Sequence, residues 1–120
     1  MYPNVVKISL NLVPYLMMEY TFRIKEGRKT IPIAVFADNR YTLAGEFLLA
    51  ERSILKEINA LLKAEGDGEL SGNIFTLKLN GRDAEITNEI TGSELTVTRD
   101  ELKALAADYS AEVKRLRKRS

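Results

Sequence analysis

The clearest structural signal in the sequence is residues 75–86, FTLKLNGRDAEI. Apolar and polar residues alternate from Phe75 to Leu79, as is typical of a strand with one buried face. Asn80-Gly81 is a strong signal for a tight hairpin turn. The alternation resumes from Arg82 to Glu89, so this stretch predicts two antiparallel strands that share a buried face.

Four further strands are predicted on either side of this hairpin. The same period of two runs from Val6 to Leu12, from Met18 to Ile24 and from Ile31 to Val35. Glu26-Gly27-Arg28 separates the last two, because glycine supplies the backbone angles of a turn. A short alternation at Leu95 and Val97 predicts the sixth strand.

Two amphipathic helices are also predicted. The spacing of the apolar residues between Ile54 and Leu62 indicates a helix from about Phe47 to Ala64, which Gly66 ends. Thr98 and Glu101 have the spacing of a capping box at the start of the second helix. The apolar face of that helix contains Leu102, Leu105, Tyr109, Val113 and Leu116.

These elements follow each other in the order βββα-βββα. We therefore expect an α+β fold, with a largely antiparallel sheet of about six strands and two helices packed on it. The 120 residues suit one domain, residues 1–120. No apolar run approaches the length of a membrane-spanning helix. The N-terminal apolar segment lacks an Ala-x-Ala cleavage pattern, so we interpret it as a strand rather than an export signal.

The sequence contains no cysteine and no histidine. This excludes disulfides, cysteine nucleophiles, Ser-His pairs and zinc sites built from His or Cys. Asp67 with Glu69, and Asp83 with Glu85, have the spacing that places two carboxylates on one face of a strand, as acid–base or Mg²⁺ chemistry requires. No other component of such a site accompanies them. We therefore predict a solvated polar face, with no catalytic residues, no metal and no cofactor.

Charge is distributed unevenly along a chain whose net charge is +1. Residues 38–101 carry thirteen acidic and seven basic side chains, a net charge of −6, whereas the flanking segments are basic. This asymmetry suggests a positively charged partner for the acidic middle. Five basic residues lie between Lys114 and Arg119. They leave nucleic-acid binding open as an alternative, although no aromatic residue interleaves with them and a solvated helix end is favoured.

Five segments, in a fixed order around the predicted helices, carry a resemblance. They are Met18–Phe22, Ala44–Leu49, Gly72–Leu77, Ala84–Thr87 and Val97–Leu102. This layout resembles small bacterial immunity proteins, including those of contact-dependent growth inhibition and related polymorphic toxin systems. Such proteins often begin near the position of Met18. Residues 1–17 are thus either an additional strand or sequence upstream of the natural start, and the alternation from Val6 favours the strand.

The resemblance implies a protein that binds the C-terminal domain of its cognate toxin in the cytoplasm, often a nuclease, and covers the active site or an adjoining surface. A carboxylate-rich face would complement the basic cleft with which a nuclease holds phosphates. We expect no membrane partner, and the oligomeric state stays open. The candidate toxin-binding residues are acids of the middle segment and one aromatic anchor: Asp38, Tyr41, Glu46, Asp67, Glu69, Asp83, Glu85 and Glu89.

Overall fold

The computed structural model describes residues 18–119. Six strands and three α-helices occur within this range: β1 Tyr20–Lys25, β2 Ile31–Phe36, α1 Thr42–Ala50, α2 Leu55–Lys63, β3 Gly68–Ser71, β4 Phe75–Asn80, β5 Asp83–Asn88, β6 Glu94–Thr98 and α3 Arg99–Arg119. The predicted α+β class is confirmed. The strand predicted from Val6 to Leu12 lies outside the described residues.

The described strands form two antiparallel sheets, so the prediction of one six-stranded sheet is wrong. β1 pairs with β2 alone, and β3, β4, β5 and β6 form a second sheet in that order. Helix α1 contacts β2 as well as β5 and β6. The two sheets are therefore joined by side chains packed on a helix, and not by a shared ladder of backbone hydrogen bonds.

The single helix predicted from Phe47 to Ala64 is two helices, which brings the described α-helices to three. A 3-10 turn at Arg52–Ile54 separates α1 from α2. The backbone is non-helical just before the turn, at Glu51 (φ −108°, ψ 26°), and at its last residue, Ile54 (φ −117°, ψ 28°). The Glu51 carboxylate accepts a hydrogen bond from the N–H of Asn73, and Arg52 Nη1 donates a hydrogen bond to the Leu49 carbonyl at 2.5 Å. These bonds stabilise the break, which a pattern of apolar residues does not reveal.

The local turn and capping signals are confirmed. Asn80 pairs with Asp83, so the hairpin turn consists of Gly81, with φ 63°, and Arg82. A positive φ at the first central position is what a type II′ turn requires. At the start of α3, the Glu101 N–H donates to Thr98 Oγ1 and the Thr98 N–H donates to Glu101 Oε1, both at 3.0 Å. This is the predicted capping box.

Helix α3 carries its predicted apolar face into the core. Leu102, Leu105 and Tyr109 are completely buried, and the Tyr109 hydroxyl donates a hydrogen bond to the Pro32 carbonyl of β2 at 2.7 Å. Burial raises the pKa of this hydroxyl to about 12, so it stays protonated as a donor. The bond ties α3 to the two-stranded sheet, while α3 also contacts α2, β5 and β6.

Candidate interaction surface

The four-stranded sheet buries one face and exposes the other. Leu77, Leu79, Ala84 and Ile86 point inward and are at most 1% exposed. Side chains at the alternate positions point outward, because successive side chains of a strand face opposite sides of the sheet. We call this surface the outer sheet face, and define it by Glu69, Ser71, Thr76, Lys78, Asp83, Glu85, Thr87, Glu94 and Thr96.

The outer sheet face is acidic. It carries four carboxylates, of Glu69, Asp83, Glu85 and Glu94, and one ammonium group, of Lys78. Lys78 lies directly opposite Glu69 on one side and Glu85 on the other. Neither glutamate forms an ion pair with Lys78 in the part of the chain that the structure describes. The carboxylates are therefore available to a partner.

Three of the predicted site residues lie together on this face: Glu69, Asp83 and Glu85. Asp67 lies immediately before the first residue of β3, where its Oδ1 accepts a hydrogen bond from the N–H of Gly81 at 2.8 Å. Asp67 thus connects the segment before β3 to the turn between β4 and β5. It fixes one end of the face as well as adding charge to it.

The other predicted residues lie elsewhere. Asp38 caps the 3-10 turn that precedes α1, accepting the Arg40 N–H and forming an ion pair with the same arginine, both at 3.0 Å. Glu46 is an exposed residue of α1, a helix that packs against core residues. Glu89 is exposed in the connection between β5 and β6. These three acids are not part of the outer sheet face.

Tyr41, predicted as an aromatic anchor, lies in the core and is only 7% exposed. Its ring packs against Phe36, and its hydroxyl accepts a hydrogen bond from Arg40 Nη2 at 3.0 Å. The Arg40 guanidinium also lies over the ring, 4.9 Å from its centre. Most of the Tyr41 surface is used inside the fold, so we do not include it in the interaction surface.

No protein-family model matches this chain, and no curated protein or solved structure is significantly similar to it. Within residues 18–119, no group of three or more acidic side chains is placed to hold a metal ion. No helix in that range combines the length and apolar character needed to cross a membrane.

Two residues at one end of the sheet were missed as site candidates. Glu94 joins the outer sheet face because it lies opposite Thr87. The alternation at Leu95 and Val97 places Glu94 on the polar side of its strand, which was the available signal. Ile90 is 76% exposed in the preceding connection. Its N–H donates a hydrogen bond to Asn88 Oδ1 at 2.9 Å, which orders the connection between β5 and β6.

Glu51 is a buried charged residue, 1% exposed, and sequence reasoning also missed it. Its carboxylate accepts hydrogen bonds from the N–H groups of Asn73 at 2.8 Å, Ile74 at 2.7 Å and Phe75 at 2.9 Å. Burial by itself would raise the pKa of Glu51, but the three backbone donors together lower it below its ordinary value. The buried anion therefore fixes the loop before β4, and with it the edge of the sheet.

Proposed function

We propose that this chain is an immunity protein that binds a cognate toxin domain, most simply a nuclease, through the outer sheet face and neutralises it in the cytoplasm. The observation that carries the proposal is the unpaired acidic row across β3, β4 and β5. The row places Glu69 and Glu85 on either side of Lys78. Stoichiometric inhibition needs a complementary surface and no catalytic group.

Electrostatic complementarity supports a basic partner. The four carboxylates stand on paired strands, so the strand register sets the relative positions of their backbones before the partner arrives. An enzyme that cleaves nucleic acid presents a basic cleft to hold phosphates, and carboxylates can occupy the same positions. Opposite charges on the two surfaces accelerate encounter and suppress wrong partners.

Ile90, in the connection between β5 and β6, offers an exposed apolar side chain to a partner. Protein interfaces combine a few well-packed anchors with surrounding polar contacts, and most of the binding energy comes from the anchors. A branched aliphatic side chain that is 76% exposed loses apolar surface when a partner covers it. Charge steers the encounter in this proposal, and Ile90 adds to the lifetime of the complex.

The test is titration calorimetry against the domain encoded immediately upstream, with toxin activity followed in parallel. We expect a 1:1 complex of nanomolar affinity. The variant Glu69→Lys/Glu85→Lys should weaken binding roughly 100-fold, about tenfold for each reversed charge, and a tenfold change in Kd is about 1.4 kcal/mol of binding free energy. The control Glu57→Lys/Glu65→Lys changes the charge equally, at exposed positions in and after α2. It should leave the affinity within about threefold.

Two results would contradict the proposal. Binding of the wild-type chain to the domain with no loss of toxin activity would exclude neutralisation. Equal weakening of binding by the two double variants would show that only net charge matters and not the outer sheet face. Circular dichroism of each variant establishes beforehand that both remain folded.

A further inference from the structure

A second charged feature lies away from the outer sheet face, at a cleft of about 500 Å³. Four basic side chains line it and define what we call the basic cleft: Arg28, Lys29, Arg52 and Arg117. They come from the β1–β2 turn, from the 3-10 turn between α1 and α2, and from the last turns of α3. The fold thus gathers cations that are far apart in sequence.

The positive charge of the basic cleft is not neutralised from within. In the described range 18–119, neither Arg28, Lys29 nor Arg117 forms an ion pair or a side-chain hydrogen bond. A smaller adjoining cavity shares Arg28, Lys29 and Arg52 and adds Lys25, and Glu26 is the one acidic residue of its described lining. Like charges placed this close repel each other, and a bound anion would relieve that repulsion.

Two hydrogen bonds hold the walls of the basic cleft in place. Arg52 Nη1 donates to the Leu49 carbonyl, which fixes the guanidinium and leaves its other N–H groups for a ligand. The Tyr109 hydroxyl donates to the carbonyl of Pro32, a second residue that lines the cleft. A guanidinium held in this way suits bidentate bonding to a phosphate group.

The shape of the basic cleft selects among anions. Its volume lies within the range of small-molecule sites. Ile31, Ala50 and Val113, which are partly exposed, give it an apolar wall beside the cations. Within the described lining there is no aromatic side chain on which the bases of a single strand would stack. Of the described bases from Lys114 onward, Arg117 reaches the cleft, whereas Arg115 pairs with Glu112.

We propose that the basic cleft binds the phosphate groups of a nucleoside di- or triphosphate, with the sugar or base against the apolar wall. This site is independent of toxin binding, because it uses other residues and a charge of the opposite sign. Arg52 and Arg28 hold the phosphates in this arrangement, and Lys29 and Arg117 neutralise the remaining charge. A compact polyanion meets all four cations at once, which an extended strand does not.

The test is titration calorimetry of the full chain with ATP and with inorganic tripolyphosphate, in a phosphate-free buffer. We expect a Kd on the order of 100 µM for ATP in 0.15 M salt, and weaker binding of tripolyphosphate, which lacks the group that contacts the apolar wall. Arg28→Gln/Lys29→Gln should weaken ATP binding at least about tenfold. Lys56→Gln/Lys63→Gln removes two exposed cations of α2 and is the matched control.

The outcomes are distinct. The proposal is supported if the wild-type chain and the control variant bind both probes and Arg28→Gln/Lys29→Gln does not. If Arg52→Gln folds, its loss of ATP binding is a second test of the cleft. If it does not fold, Arg28→Gln/Lys29→Gln alone tests the proposal. Absence of ATP binding at millimolar concentration overturns the proposal, as does binding that both double variants weaken equally. A 12-nucleotide single-stranded RNA is the third probe. If it binds more tightly than ATP and Arg28→Gln/Lys29→Gln weakens that binding too, the cleft is a nucleic-acid site and the proposal is overturned.

Discussion

A Cβ atom on residue 72 would lie 2.2 Å from Oε1 of Glu51, so only glycine fits against this buried carboxylate. The close approach allows the next three residues to direct their N–H groups at the same two oxygens. Gly72 and Glu51 are 21 positions apart, and together they tie the break between two helices to the start of β4. This contact explains both the shape of the loop and the interruption of the helix.

We expect Gly72→Ala to lower the free energy of unfolding by about 1–3 kcal/mol, because the added methyl group must displace a buried side chain held by three hydrogen bonds. Gly27→Ala is the matched control, since a Cβ there meets nothing within 4 Å. It should be neutral or slightly stabilising. Urea denaturation followed by circular dichroism measures both, and equal stabilities would refute the close contact.

The lowered pKa of Glu51 predicts how its contribution to stability depends on pH. A carboxyl group whose folded pKa is below the ordinary value of 4.5 stabilises the fold fully above that value, and this contribution is lost as the pH falls through the folded pKa. Glu51→Gln should therefore cost about 1–3 kcal/mol at pH 7. The gap between the wild type and this variant should shrink at pH 3. An unchanged gap in urea denaturation would show that the charge of Glu51 is not what the loop requires.

The features predicted correctly depend on near neighbours in sequence. The β4–β5 hairpin follows from alternation and a glycine turn, and the capping box follows from two residues three positions apart. By contrast, Glu51 was missed because its partners lie more than twenty residues away. Strand β3 was missed because GELS contains one large apolar residue, Leu70, and pairing with the edge of β4 makes it a strand.

The candidate surface was likewise predictable where it depends on local spacing, and not where it depends on the pairing of distant strands. The i, i+2 spacing places Asp83 and Glu85 on one face of a strand, and the structure confirms that geometry. Which residues lie across from them depends on the register of neighbouring strands, which a single sequence does not determine. That Glu69 and Glu94 share the face of Asp83 and Glu85 therefore follows only from the pairing of their strands. Tyr41 shows the opposite error, since an aromatic residue in a loop segment is buried by tertiary packing.

Helix α3 offers a test of the core. Leu105 is completely buried, so Leu105→Asp should lower the free energy of unfolding by roughly 3 kcal/mol or more, because a carboxylate would lose its hydration without gaining a partner. Ala104→Asp adds the same charge at the exposed neighbouring position and should change stability far less. Thermal unfolding compares the two, and similar melting temperatures would mean that this face of α3 is not packed as described.

Arg99 holds the C-terminal end of α2 from the first residue of α3. Its guanidinium donates hydrogen bonds to the carbonyls of Leu61, in the last turn of α2, and of Ala64 and Gly66, just after that helix. Lysine carries the charge but cannot reach several carbonyls at once. Arg99→Lys should therefore cost about 1–2 kcal/mol. Arg82→Lys in the exposed hairpin turn is the control, and equal urea midpoints for the two variants would rule out the proposed role of Arg99.

Lys78→Glu separates stability from toxin binding. The change places three carboxylates in one cross-strand row with Glu69 and Glu85, so it should lower the free energy of unfolding by about 0.5–1 kcal/mol, and less at high salt. If the outer sheet face meets a basic toxin surface, the same change should raise the association rate at low salt, because it adds favourable charge where the partner docks. Stopped-flow association and urea denaturation measure the two effects, with Lys78→Gln as an intermediate case. A destabilised fold should thus bind faster. Association that slows along with the loss of stability would place the toxin on another surface.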